Sequence, residues 1–135
     1  MNIKTHKMAD ALLLGTPVIV DEGVRAVVRL EAVERMVVDD HGLVHGGFTF
    51  GLADYAAMLS VNEPFVVLGS SSVKFTAPVK VGDVMVAEAL VTGSEGRRRE
   101  VSVEVKVGET VVLNGRCSVM FYSIMLCKSS INSMF

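Results

Sequence analysis

The sequence has little cysteine, few aromatic residues and no excess of positive charge. Its 135 residues include two cysteines, three prolines and no tryptophan. Cys117 and Cys127 are too few to form a disulfide framework. No cysteine lies near His6, His41 or His45 in the sequence, so no metal-ligand cluster is predicted.

The charge and the hydropathy pattern argue against two classes of partner. The formal net charge is −2, with charges of both signs scattered along the chain, so no nucleic-acid partner is indicated. No apolar run is long enough to span a membrane or to form a signal peptide. We therefore expect a cytoplasmic protein without a membrane partner.

Apolar residues, in contrast, are abundant. Hydrophobic residues make up 50% of the chain. The length predicts a single domain over residues 1–135. A domain of this size buries only a modest core by itself, so the surplus of apolar residues predicts further burial between subunits.

Sequence periodicity predicts one long helix among several strands. The helix runs from about Gly46 to Val61 and is apolar on nearly all sides, which is typical of a core position. Alternating hydrophobic and polar residues predict a strand from residue 24 and four more after the helix, over 65–77, 84–92, 98–107 and 110–122. A short helix over 8–14 and a short strand over 18–20 come first, and residues 124–135 fit no pattern. The order predicts an α+β fold in which a curved antiparallel sheet wraps one central helix.

Asp54 is the one charged residue within this apolar helix. A carboxylate in a core costs free energy unless it is paired or functional. Directly before the helix stand His45, Gly46 and Gly47, and the N–H groups of a helix N-terminus are unpaired and carry the positive end of its dipole. This combination predicts a reaction centre. The alternative is a structural carboxylate that is bonded to the backbone or to Tyr55.

The segment from Gly42 to Asp54 resembles the signature of hotdog-fold acyl-CoA thioesterases of the phenylacetic-acid-degradation (PaaI-like) type. It contains their His-Gly-Gly, a run of apolar residues and then Leu-Ala-Asp. Weaker matches follow in the same order at Asn62, at Phe75-Thr76-Ala77-Pro78 with Gly82-Asp83, and at Gly96-Arg97-Arg98. The resemblance spans about residues 18–122.

This resemblance implies a hotdog fold of about five to six strands and hydrolysis of an acyl-CoA thioester to a carboxylic acid and free coenzyme A. No metal or other cofactor is implied beyond the coenzyme A of the substrate. The Gly46 N–H, beside Gly47, would be the oxyanion donor, and Asp54 would act as general base or as nucleophile. His45 would orient the thioester, or it would be an ordinary loop histidine.

Several further residues are candidates for substrate binding: Asp39, Asn62, Ser70, Ser72, Thr76, Arg97 and Arg98. Alternate serines of one strand could face the pocket. The arginines, with Arg99, could bind the phosphates of coenzyme A, since a guanidinium fork suits phosphate oxygens, or they could form a solvated turn. Asp39 stands where the family commonly has Asn, and a carboxylate cannot donate a hydrogen bond. Either Asp39 has an altered role or its loop is rearranged.

Two other functions remain open. A hotdog hydratase or dehydratase usually needs an Asp and a His on one helix, and this helix contains no His. A non-catalytic acyl-ligand-binding protein normally carries a DNA-binding domain, for which the chain has no room. The expected assembly is a homodimer, with a tetramer as the alternative. Asp54 lies seven residues after Gly47, about 10 Å along the helix, so one helix alone supplies an oxyanion donor and a base poorly.

Overall fold

The computed structural model describes residues 1–122, so the unassigned segment 124–135 and Cys127 lie outside the described residues. The elements are α1 (Ala11–Leu14), β1 (Thr16–Asp21), β2 (Arg25–Glu31), a 3₁₀ turn (Glu34–Met36), α2 (Gly46–Val61), β3 (Phe65–Phe75), β4 (Val84–Glu95), β5 (Arg98–Val107) and β6 (Thr110–Tyr122). One long helix with a six-stranded antiparallel sheet confirms the predicted α+β fold. No helix in residues 1–122 has the length and apolar character that crossing a membrane requires.

The strands form one sheet in the order β1-β2-β4-β5-β6-β3, with every neighbouring pair antiparallel. Helix α2 lies against one face of this sheet. The side chains on that face alternate along the strands and are buried, as in Val101, Val103 and Val105 of β5. Burial on one face explains the period of two in the sequence of this strand.

Ten of the sixteen residues of α2 are buried, because the helix packs against the strands of the sheet and against α1. Ala53, Ala56 and Ala57 are fully buried and allow close packing. Helix α1 lies beside this helix, and the Leu14 side chain would be 3.2 Å from a Cβ built on Gly51. Gly51 is thus explained by close packing of the two helices.

Strand β3 is the last strand of the sheet and pairs on one side with β6. Much of it is exposed in a single protomer, including the side chains of Val67 and Phe75. A strand edge with unpaired N–H and C=O groups is a template for pairing with another strand. Within residues 1–122, the outer edge of β3 has no strand paired with it.

Asn62 fixes the N-terminal segment (residues 2–10) to the end of α2. It adopts a left-handed backbone conformation with φ 53° and is 1% exposed. Its Oδ1 accepts a hydrogen bond from the Lys4 N–H at 2.8 Å, and its Nδ2 donates to the Asn2 carbonyl at 2.8 Å. Lys4 also forms an ion pair with Glu22 at 2.8 Å. The segment is thus held across the C-terminal end of the helix.

Candidate functional site

The helix N-terminus presents one free donor rather than two. His45 is the N-cap of α2, and its Nδ1 accepts a hydrogen bond from the Gly47 N–H at 2.8 Å. His45 thus has a structural role, because the first N–H groups of a helix have no partner within the helix and need an acceptor such as this ring nitrogen. The Gly46 N–H makes no hydrogen bond to another residue within 1–122.

A cavity of about 420 Å³ opens at this end of the helix. It is lined by Gly46 and mostly apolar neighbours: Val44, Thr49, Phe75, Thr76, Ala77, Pro78 and Val79. A Cβ built on Gly46 would lie 3.4 Å from the Phe75 ring. This is an ordinary van der Waals distance, so the Phe75 ring forms the cavity wall directly beside Gly46.

Asp54 makes no hydrogen bond within the described chain, either to the backbone or to Tyr55, so the structural alternative finds no support there. Its Oδ1 is buried and has no hydrogen-bond partner. Burial raises the pKa of this carboxyl group, and the charge of His6 acts in the opposite direction. An unpartnered, desolvated carboxylate is a stronger base than an exposed one and is costly to keep for stability alone.

Two side chains from distant parts of the chain lie near Asp54. Cys117 of β6 is fully buried, and burial, together with the charges of Asp54 and Glu100, raises its pKa to about 11. It is therefore a neutral thiol at neutral pH. His6 of the N-terminal segment is half-buried, and it was not predicted as a site residue because nothing in its sequence context links it to Asp54. Within residues 1–122, no group of three His, Cys, Asp or Glu side chains is placed to hold a metal ion.

The serines of β3 divide between the two faces of the sheet. Ser71 pairs with Cys117, which faces α2, whereas Ser70 and Ser72 pair with Ser118 and Arg116. Residues that pair in an antiparallel sheet point to the same side. Ser70 and Ser72 thus lie on the face away from Asp54, and their role in substrate binding stays a prediction. An irregularity between Leu68 and Ser70 shifts the alternation and places Ser71 on the helix face.

Three other candidates have defined hydrogen bonds. Thr76 lines the cavity and donates its hydroxyl to the Val111 carbonyl at 2.7 Å. Asp39 Oδ1 accepts from the N–H groups of His41 and Leu43 at 2.9 and 3.0 Å. This loop therefore needs only an acceptor at residue 39, which a carboxylate provides as well as an amide. Asn62 is occupied by the N-terminal segment, and its role in substrate binding stays a prediction.

The arginine cluster lies at the other end of the sheet from the cavity. Arg97 and Arg98 are exposed in the β4–β5 hairpin, whereas Arg99 lies over the Phe121 ring at 4.8 Å and donates to two backbone carbonyls. Arg99 pairs with Val119 of β6, and Phe75 beside the cavity pairs with Leu113. Six residues of a strand span about 20 Å. Within one chain, the arginines and Gly46 are therefore well separated.

Solved structures share this architecture. The uncharacterized protein PH1136 from Pyrococcus horikoshii is 50% identical with a TM-score of 0.88, and the match covers 91% of this chain and 94% of that one. The PaaI protein from the phenylacetic acid degradation operon of E. coli is 25% identical with a TM-score of 0.74, covering 82% and 81% of the two chains. These likenesses confirm the predicted hotdog fold.

Curated relatives extend beyond the length of this chain. Methylthioribose-1-phosphate isomerase of Aquifex aeolicus is 48% identical over 121 residues, which is 90% of this chain and 26% of that protein. Transcription factor FapR of Caldanaerobacter subterraneus is 30% identical over 113 residues, which is 84% of this chain and 56% of FapR. The chain thus spans about a quarter to about half of these relatives. Residues 40–113, which include Gly46, Asp54 and the cavity wall, match the MaoC-like domain, and the chain belongs to this family.

Proposed function

We propose that the chain is an acyl-CoA thioesterase that hydrolyses an acyl-CoA to a carboxylic acid and free coenzyme A. The observation that carries the proposal is the half-buried Asp54 carboxyl group, whose buried Oδ1 has no hydrogen-bond partner, on a helix whose free Gly46 N–H opens onto an apolar cavity. The structural likeness to PaaI supports the same reaction class. The apolar lining favours an apolar acyl group.

The Gly46 N–H would stabilise the oxygen anion that develops when the thioester carbon becomes tetrahedral. One such donor contributes on the order of 3 kcal/mol. Asp54 as general base would take a proton from a water molecule whose oxygen attacks the acyl carbon, after which the C–S bond breaks and coenzyme A leaves. Alternatively, Asp54 would attack the carbon itself and form an anhydride that water then hydrolyses.

A site shared between two copies would satisfy the geometry. Asp54 lies eight residues after Gly46, so their backbones are about 12 Å apart along one helix, while both groups must approach one thioester carbonyl. Pairing at the free edge of β3 would place two helices side by side and antiparallel, with Gly46 of one copy near Asp54 of the other. We therefore propose a homodimer with two sites, and a tetramer of two such dimers as the alternative.

The test of this function is a panel of acyl-CoA thioesters with aromatic, medium-chain and hydroxylated acyl groups. Release of free thiol by the purified protein would be compared with release by Asp54→Ala. Hydrolysis of at least one member by the wild type alone is the expected result. Equal thiol release by both proteins across the panel would refute the proposal, and binding without turnover would instead favour a non-catalytic acyl-ligand-binding protein.

Arg97 and Arg98 are expected to act on coenzyme A recognition. Changing both to Ala should raise KM several-fold, flatten its salt dependence and leave kcat nearly unchanged, because exposed charges attract phosphates through a screened field. Arg29→Ala, which removes an exposed arginine of β2, is the matched control. If the double variant has the KM of the control, the hairpin arginines form only a solvated turn.

A hydratase or dehydratase is the second candidate, and one observation favours it. Helix α2 lacks a histidine, but the N-terminal segment brings the His6 ring to 6.3 Å from the ring of Tyr55, the residue after Asp54, and the charge of Asp54 acts on the His6 imidazole. Such a pair could add water to an unsaturated acyl-CoA or remove water from a hydroxylated one. Loss of the absorbance of the conjugated thioester without release of thiol would identify this activity.

A further inference from the structure

The N-terminal segment holds His6 in a constrained conformation. His6 has a left-handed backbone with φ 52°, which is uncommon for a residue other than glycine. Such a conformation persists where the surroundings determine it. Here Thr5 is 4% exposed, the His6 carbonyl accepts from the Ala9 N–H at 3.1 Å, and Asn62 anchors the preceding residues. The histidine is thus presented to the helix by a defined turn.

The turn directs the imidazole to the part of α2 that carries Asp54. The His6 ring centroid lies 6.3 Å from that of Tyr55, the next residue on the helix. The charge of Asp54 acts on this ring and favours its protonated form, against the larger effect of burial. Lys4, on the same segment, is already paired with Glu22.

One contact of the His6 ring bears on its tautomer. Its Nδ1 lies 2.9 Å from the Thr5 hydroxyl. Burial lowers the pKa of the imidazole, so the neutral ring is favoured. The contact fits both neutral tautomers: where the Thr5 hydroxyl donates to Nδ1, the ring proton resides on Nε2 and Nε2–H is a donor, and where Nδ1–H donates to the hydroxyl, Nε2 is an acceptor.

We propose that His6 is a second polar group of the Asp54 site, with its Nε2–H donating a hydrogen bond to the substrate group on which Asp54 acts. A carboxylate only accepts hydrogen bonds, so the imidazole supplies the donor that the middle of the helix lacks. The catalytic part of this inference rests on the proposed function. The proximity of the two side chains does not, and it is measurable without turnover.

The first test is an NMR titration of the histidine rings. The chain contains three histidines, so the signals of His6 are followed separately from those of the other two. In the wild type, the pKa of His6 should lie below its ordinary value of 6.5, because the ring is half-buried. Asp54→Asn should lower the His6 pKa further, since a nearby carboxylate favours the charged imidazole. An unchanged His6 pKa in this variant would overturn the proposal.

A second variant tests the anchor without altering either group. Asn62→Gly removes the side chain that binds Asn2 and Lys4 while it tolerates the left-handed backbone at this position. If the segment presents His6 to the helix, the freed ring becomes solvated and its pKa should rise toward the ordinary value of 6.5. A His6 pKa that stays low would show that Asn62 does not position the ring.

The catalytic part is tested by kinetics. His6→Ala should lower kcat by about tenfold or more, on the scale of a lost transition-state donor, whereas His6→Gln should restore much of it because an amide N–H can replace Nε2–H. His41→Ala should match the wild type. Wild-type kcat in His6→Ala would refute the catalytic role. Histidine coupling without any thioester hydrolysis would refute the proposed function and leave the proximity of His6 and Asp54 established.

Discussion

Asp54→Asn is expected to lower kcat for acyl-CoA hydrolysis by at least about 100-fold while substrate still binds, which is the usual scale for a general base. The amide has nearly the same shape as the carboxylate but can neither accept a proton nor attack the thioester. Steady-state kinetics with the best substrate of the panel would measure the effect. Asp40→Asn, at an exposed loop residue whose side chain is 92% exposed, should behave as the wild type.

The same variant should be at least as stable as the wild type. Because burial raises the Asp54 pKa above 3.8, the folded state holds this proton to higher pH than the unfolded state does. The contribution of Asp54 to the free energy of unfolding therefore decreases as pH rises from about 3.8 through the pKa of the folded state. Asp54→Asn should show an equal or higher Tm at neutral pH, and its advantage should shrink in acid. A lower Tm at neutral pH together with undiminished turnover would mean that Asp54 is structural.

Mixing two inactive variants is expected to restore activity if the site is shared. Asp54→Ala lacks the carboxylate, and Gly46→Pro lacks the free N–H. Random exchange would give dimers with one intact site and one doubly damaged site, so equal mixing should recover about a quarter of the wild-type activity. Activity would be followed after subunit exchange, with each variant alone as the baseline. A fully active monomer, or no recovery after proven exchange, would rule out a shared site.

Gly46→Pro is suited to this experiment because it removes one N–H with little other change. Gly46 is the first residue of α2, where proline is tolerated, and His45 before it has φ −61° and ψ 133°, which suits a residue preceding proline. Gly46→Ala is the matched control, since it adds a Cβ 3.4 Å from the Phe75 ring and keeps the N–H. The Ala variant should retain most of its turnover. Equal losses in both variants would show that the added carbon, rather than the missing donor, is responsible.

Three of the long elements could be predicted from the sequence, and the reasons are physical. Helix α2 and strands β5 and β6 have the predicted bounds. The helix is one long apolar run that ends at Asn62, and β5 alternates buried and less buried residues along much of its length. Strand β3 was predicted two residues too long, since Thr76 to Pro78 belong to the cavity wall. The predicted helix over 8–14 is limited to Ala11–Leu14, because the Asp10 side chain caps it and Gly15 ends it.

The site was only partly accessible to sequence reasoning. Gly46 and Asp54 lie close together in the sequence and share a recognisable motif. The face of the β3 serines depends on an irregularity that leaves no pattern in the residues around Gly69. His6 lies near Tyr55, the residue after Asp54, in a segment that Asn62 binds at residues 2 and 4. The spacing of residues in the sequence predicts which side chains are neighbours on one helix or strand. It does not predict which distant segment of the chain packs over that helix or strand.

The anchoring of the N-terminal segment by Asn62 has a consequence for hydrogen exchange. The hydrogen bonds from Asn62 to Lys4 and Asn2 join residues that are 58 and 60 positions apart in the sequence. Few other hydrogen bonds of residues 1–122 hold Asn2 and Lys4. Strand β5, in contrast, is hydrogen-bonded to a neighbouring strand on both sides. Weakly held segments open at a lower free energy than the whole fold. The Lys4 amide should therefore exchange far faster than the Val103 amide. Equal exchange rates at the two amides would mean that the segment unfolds only together with the sheet. Faster exchange at Lys4 would mean that the surroundings of Asp54 can become accessible to solvent while the sheet stays intact.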